Sequence, residues 1–333
     1  MPNRGQQIKD RGKPGERRGV KLHRPPNKRP GSADSSIFLL TMVIVLVVLC
    51  LPGNVRGQRG ETIADNRRQP VIVMIHGMFV GPWCWDEYRG YFEKRGYRVL
   101  TPTLRHHDLP LSAPPPAELM QTGIGDYAAD VEKEIRALSD KPVIIGHSMG
   151  GLIAQLLAAR GLARAAVLIA PAVPRGISPV SWTGIKSAWM NRQRLGHWGE
   201  PLRPTFAGAV YSSLHLLPLE DREKVFARFT YESPRAAGQI SFWFFDPKKS
   251  TAVDAARVTC PVLTIAGGQD RLVPPAIVRK IHAKYQTVST YWEFPRHSHF
   301  LIAEPGWEEP AREIEVWIRD KAGYFPAAAS QKN

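Results

Sequence analysis

The chain has 333 residues, room for one large domain with an insertion or for two smaller ones, and its 43% hydrophobic and 23% charged side chains are ordinary for a globular protein. The net charge of +15 is not ordinary, but residues 1–36 carry ten Lys or Arg against Asp10, Glu16 and Asp34, so about half of the excess sits in one segment. A nucleic-acid arm is one reading of that charge; the segment that follows favours another, and no nucleic-acid partner is expected.

Residues 1–36 are rich in Gly, Pro and Arg and nearly without apolar side chains, so they read as a disordered basic tail. Residues 37–51, IFLLTMVIVLVVLCL, are apolar except for Thr41. As a helix rising about 1.5 Å per residue, this stretch covers about 22 Å, short of the roughly 30 Å hydrocarbon core of a bilayer. Its length falls between a signal-peptide core and a membrane span. The basic flank predicts an N-terminus that stays in the cytoplasm while the rest crosses. No good Ala-x-Ala site follows, so an uncleaved membrane anchor is preferred to a cleaved signal. Residues 52–69 read as a linker, and 323–333 as a C-terminal tail.

From residue 70 the pattern changes. VIVMI (71–75), RVLTP (98–102), PVIIGH (142–147), AAVLIA (165–170), PVLTIAGG (261–268) and VSTYWEF (288–294) are short apolar runs rich in β-branched residues. They read as strands buried on both faces. Helical spacing lies between them: Tyr127, Val131, Ile135 and Leu138 share one helix face, Leu152 to Arg160 forms a helix that Gly161 can end, and a last helix starts at about Trp307 and carries Val316, Trp317 and Ile318. Alternating strand and helix predicts an α/β fold, a mostly parallel sheet with helices on both faces. The roughly 90 residues between Ala170 and Pro261 break the rhythm; a structureless loop of that size is improbable. Their many aromatic residues predict a mostly helical insertion over the sheet, whose rings mainly pack while a few line an apolar pocket.

Cys84 and Cys260 are the cysteines available for an intradomain pair, and they are expected as free thiols. His106-His107-Asp108 has metal-ligand residue types, but neighbours in one loop rarely converge on one ion, so no metal is expected.

The stretch VIIGHSMGG puts Ser148 between Gly146 and Gly150 at the end of a strand. A plain strand-to-helix turn uses such glycines for space alone; a nucleophile elbow uses them to lift the serine oxygen above the sheet. The discriminating feature is an acid and a base further along. Asp270 follows the strand that begins at Pro261, and His297 and His299 follow the next strand. No Asp or Glu occurs between Ala165 and Gly199, so the acid does not follow the preceding strand. In such a set the histidine takes the serine proton and the aspartate orients the imidazole. Backbone N–H groups of Met78, after His76-Gly77, and of Met149 are the candidate oxyanion donors. In an extended loop His297 and His299 point in opposite directions. Phe300-Leu301-Ile302 can anchor His299, whereas Arg296 and Ser298 flank His297 and predict a more exposed ring.

HGMFVGPWCW, GHSMGG, AGGQDRLVPP and HSHFLIAEPGW, in this order over residues 70–322, resemble the α/β-hydrolase superfamily, of the lysophospholipase-like and esterase type. The resemblance implies Ser148 as nucleophile, Asp270 as acid and His299 as base, the last because a large apolar residue, here Phe300, usually follows the family's histidine. It also implies a helical cap at about 173–255. The implied function is that of a serine hydrolase cleaving a carboxylic ester, thioester or lipid ester through an acyl-enzyme. The implied substrate is a small apolar ester, with no cofactor. Haloperoxidase chemistry, C–C bond hydrolysis and a catalytically idle binding protein are the alternatives on the same fold. The tail and apolar run at 1–51 depart from the family's cytoplasmic members and imply a hydrolase domain outside the cytoplasm.

Overall fold

The computed structural model describes residues 71–190 and 199–323. The expected tail at 1–36, anchor at 37–51, linker at 52–69 and nearly all of the C-terminal tail lie outside the described residues. Among the described residues no helix is long and apolar enough to cross a membrane.

The six apolar runs form six strands: β1 (Val71–Ile75), β2 (Arg98–Leu100), β3 (Val143–His147), β4 (Ala165–Ile169), β5 (Val262–Gly267) and β6 (Ser289–Phe294). They make one sheet of order β2-β1-β3-β4-β5-β6 in which every pair is parallel. Side chains alternate between its faces. Val71, Val73 and Ile75 join one core cluster, whereas Ile72 and Met74 join the other. The first cluster is completed by α3 (Ile124–Arg136), α4 (Met149–Ala159) and α9 (Pro275–Lys284), the second by α1 (Asp86–Glu93) and α10 (Glu308–Ala322). Tyr127, Val131 and Ile135 are buried along α3, as their spacing predicts. Cys84 packs in one cluster and Cys260 against the other; both are free thiols.

Burial on both faces holds for β1, β3, β4 and β5 but not for β2 and β6. These two are the sheet's edges. Arg98 is exposed there, and β6 is half-buried up to Phe294. The last helix likewise turns Val316 outward, 46% exposed, while Trp317 and Ile318 face the core.

Between β4 and β5 lie α5 (Trp182–Met190), α6 (Phe206–Ala209), a π-helical turn (Val210–Leu214), α7 (Leu219–Ala227) and α8 (Pro234–Ser241). One antiparallel bridge, Leu202 to Glu232, joins the segments before α6 and α8. This insertion is fastened to the loops at the strands' C-terminal ends. Thr230 N donates to the Phe79 carbonyl (2.7 Å), and Ser233 Oγ donates to the Thr122 carbonyl (2.5 Å). Gln239 Oε1 accepts from Ile124 N at the start of α3, just after the short helix α2 (Ala117–Gln121) (2.8 Å). Its aromatic residues do not all pack: Trp182 and Phe245 are 87% and 78% exposed.

Candidate active site

The chain leaves β1 toward β2 on one side and returns to β3 on the other, so strand order reverses between β1 and β3. In parallel sheets a crevice opens at such a point beyond the strands' C-terminal ends. His76-Gly77 follows β1 there, and Ser148 follows β3.

Ser148 occupies the N-cap position of α4 with φ 53° and ψ −116°, yet its hydroxyl caps nothing. A non-glycine residue held in so rare a backbone region costs on the order of 1–3 kcal/mol, and surrounding structure must enforce it. Ser148 N donates to the Ile169 carbonyl (3.0 Å), and its carbonyl accepts from Gly151 N (2.9 Å) and Ala172 N (2.8 Å). The glycines give the required space. A Cβ on Gly150 would lie 2.0 Å from the Ile75 carbonyl oxygen, and one on Gly146 would lie 2.2 Å from that of Gly150. Gly77 runs beside the serine, where a Cβ would sit 3.1 Å from Ser148 Cβ. The residues after Gly77 and after Ser148 are the candidate donors: Met149 is buried and Met78 half-buried, packed against the same core cluster.

Asp270 and His299 meet. Nδ1 of His299 bonds Oδ2 of Asp270 at 2.8 Å, and both side chains are almost fully buried. The other carboxylate oxygen accepts from Leu272 N (2.7 Å) and Val273 N (2.8 Å), so the acid is fixed before it meets the imidazole. The loops of Asp270 and His299 touch directly: Gln269 N donates to the His297 carbonyl (2.8 Å), and a Cβ on Gly267 would lie 2.2 Å from the Ser298 carbonyl.

His297 is buried, not exposed. Its Nδ1 meets Glu304 Oε1 at 3.0 Å, and that carboxylate also accepts from Ser298 N (2.6 Å) and Ser298 Oγ (2.6 Å). The polar residues flanking His297 are thus an internal network around a buried glutamate. The residue that reveals it is Glu304, a lone charge in the apolar run FLIAEPGW.

His147, His76 and His107 add further imidazoles around the site. His147 donates Nε2–H to the His299 carbonyl (2.8 Å), and burial pushes its pKa down to about 3. His76 bonds the Gly77 carbonyl through Nδ1 (2.9 Å) and accepts from Leu104 N through Nε2 (3.2 Å); burial, helped by His107, lowers it to about 3 as well. Both rings are therefore neutral at physiological pH. His107 lies 5.0 Å from His76, ring to ring. Its Nε2 meets Glu232 Oε2 (3.1 Å) and its Nδ1 the Arg105 carbonyl (3.2 Å), so both nitrogens face acceptors. Burial opposes its charge, but Glu232 overrides that and raises the pKa above the ordinary value. Glu232 also accepts from Tyr127 Oη (2.7 Å) and Ser233 N (2.7 Å). His106 and Asp108 do not join this network, and no cluster of three metal-type ligands occurs among the described residues.

The family model of the alpha/beta hydrolase family matches residues 72–314. The chain belongs to the α/β-hydrolase family. The chain is 30% identical over 166 residues to methylesterase 9 of Arabidopsis thaliana, a match covering 45% of the chain and 63% of that relative. It therefore spans under two thirds of this relative's length. Methylesterase 7 of the same plant is 26% identical over 196 residues, 54% of the chain and 74% of the relative. Among solved structures, the fold is shared with a pyrethroid hydrolase of Sphingobium faniae (TM-score 0.59, 19% identity, 77% of this chain and 99% of that one). It is shared also with a monoacylglycerol lipase of Paleococcus ferrophilus (TM-score 0.54, 20% identity, 76% and 96%).

Proposed function

We propose that this α/β-hydrolase is a serine esterase that cleaves a small apolar carboxylic ester through an acyl-enzyme. The observation that carries the reading is the buried 2.8 Å bond between Asp270 and His299, on loops adjoining a serine held in a strained elbow. In the proposed reaction Ser148 Oγ attacks the acyl carbon while His299 Nε2 takes its proton. The oxyanion is held by the N–H groups of Met78 and Met149. Collapse of the tetrahedral adduct returns the proton to the leaving alcohol. Water, deprotonated by the same imidazole, then attacks the acyl carbon, and the imidazolium returns that proton to Ser148 Oγ as the acid leaves. Asp270 keeps the Nδ1 proton in place and stabilises the imidazolium. The names of the relatives, methylesterases among them, support an ester with a small alcohol over a thioester or a long-chain lipid.

Labelling the full chain with a fluorophosphonate and digesting it for mass spectrometry tests the nucleophile. The adduct is expected on Ser148. Turnover of short p-nitrophenyl esters is expected to vanish in Ser148→Ala; retained turnover there, or label on another residue, overturns the reading.

The basic flank and apolar run at 1–51 support an anchored chain with its hydrolase domain outside the cytoplasm. A reporter fused after Asn333 is expected to report export, and a cytoplasmic signal from a stable fusion overturns that placement.

A further inference from the structure

Two segments of the insertion over the sheet turn several large apolar side chains to solvent. In and just before α5, Val180, Trp182 and Ile185 are 69%, 87% and 51% exposed; in the turn Trp243–Phe245, Phe244 and Phe245 are 53% and 78% exposed. The segments are tied together. Trp243 Nε1 donates to the Ile177 carbonyl (3.0 Å), and the Arg175 guanidinium donates to the Trp243 carbonyl while lying 5.2 Å from the centre of its ring. Scattered apolar residues on a surface need no explanation; five large ones on two linked segments do.

Charge identifies the occupant. Lys186 on α5 and Lys248 and Lys249 after Phe245 are exposed among these side chains. The carboxylate between them, Asp246, is turned back on its own loop and accepts from Lys248 N (3.2 Å) and Ser250 N (2.6 Å). Exposed aromatics beside lysines match the boundary between anionic headgroups and acyl chains, where rings settle at the interface and lysines reach back to phosphate. A second copy of the chain on the same patch would set lysine against lysine. We propose that α5 and the Trp243–Phe245 turn form a docking surface for an anionic lipid bilayer, on which the insertion lies without crossing. The surface stands on the supports of the candidate site. Lys186 and Arg271 both lie against the Tyr211 ring, at 4.8 and 4.9 Å, and Arg271 adjoins Asp270.

Hydrogen exchange of the full chain, with and without vesicles of phosphatidylcholine and phosphatidylserine, tests this locally and so separately from any binding through residues 37–51. Amides of 180–190 and 242–249 are expected to slow severalfold on these vesicles, much less on phosphatidylcholine alone, while α10 is unchanged. The slowing is expected to disappear in a Trp182→Ser, Phe245→Ser variant. A Lys248→Glu, Lys249→Glu variant is expected to lose the phosphatidylserine dependence. Both variants are expected to keep wild-type turnover of soluble p-nitrophenyl acetate. Unchanged exchange in the two segments with vesicles bound overturns the proposal. So does slowing that follows protein concentration without vesicles, which would mark a second copy as the occupant.

Discussion

His147 holds the main chain of His299: its Nε2–H donates to the His299 carbonyl at 2.8 Å across 152 residues of sequence. Burial keeps this ring neutral, so its single proton is on Nε2, and Nδ1 is left buried without a hydrogen-bond partner. The residue before the elbow serine is thus a positioning residue for the proposed base. His147→Phe keeps a buried ring but orphans the carbonyl, a loss of about 1–3 kcal/mol. Urea unfolding is expected to show that loss, and steady-state kinetics a kcat reduced about tenfold with KM nearly unchanged.

The two neighbouring histidines are expected to fail differently. His299→Ala removes the proposed base and is expected to lower kcat by about three orders of magnitude or more, with a lower thermal midpoint as well because Asp270 loses its buried partner. His297→Ala leaves Glu304 buried without its imidazole and is expected to lower stability first, with turnover of the folded fraction much less affected. Parallel kinetics and thermal melts of the two variants check the assignment. Loss of turnover in stable His297→Ala with activity kept in His299→Ala reverses it.

Glu232 pins the insertion to the core through His107 and Tyr127. Glu232→Gln keeps the shape but removes the charge, and breaking a buried pair from one side costs about 3 kcal/mol. Because the folded His107 pKa is raised above 6.5, the pair's contribution is complete below pH 6.5 and is lost as pH rises through the folded value. Chemical unfolding across pH 6 to 9 is expected to show this alkaline decline in the wild type and not in Glu232→Gln.

His76 and His147 carry the opposite sign. Their folded pKa values of about 3 lie below the ordinary 6.5, so between those values the unfolded chain binds more protons. Stability from this source is complete above pH 6.5 and falls as pH drops toward 3. Unfolding free energies measured from pH 7 to 4 are expected to decline, and a His76→Asn variant to decline less steeply.

At Gly150 even one methyl group has no room, since its Cβ would meet the Ile75 carbonyl at 2.0 Å. Gly150→Ala is expected to yield no soluble folded protein. Gly161→Ala, whose Cβ meets nothing within 4 Å but whose φ is 74°, is expected to fold with reduced stability. Circular dichroism of the two separates a steric block from backbone strain.

The sheet, and the loops that carry Ser148, Asp270 and His299 beyond its strands, are legible in the sequence because each is local. A buried parallel strand writes itself as a run of β-branched residues, and a loop residue after such a run is placed by it. The edges β2 and β6 are misread because a strand's neighbours are not encoded in its own composition. The buried partners are illegible for the same reason: Glu232 meets His107 from 125 residues away, and nothing near either predicts the pairing. Sequence spacing does reach Ser298 and Glu304, six residues apart, but gives no direction for the carboxylate that closes His297 off from solvent.

The distance along the chain from His147 to His299 also sets when the site comes into being. Those 152 residues contain β4, the whole insertion, β5 and β6, and all must fold before His299, the proposed base, has its support. Contacts so remote form late and slowly. During synthesis the elbow serine emerges long before the groups that would activate it, so an incomplete chain carries the hydroxyl without the machinery to deprotonate it. On the proposed reading, the serine stays unactivated until the chain has been made as far as His299.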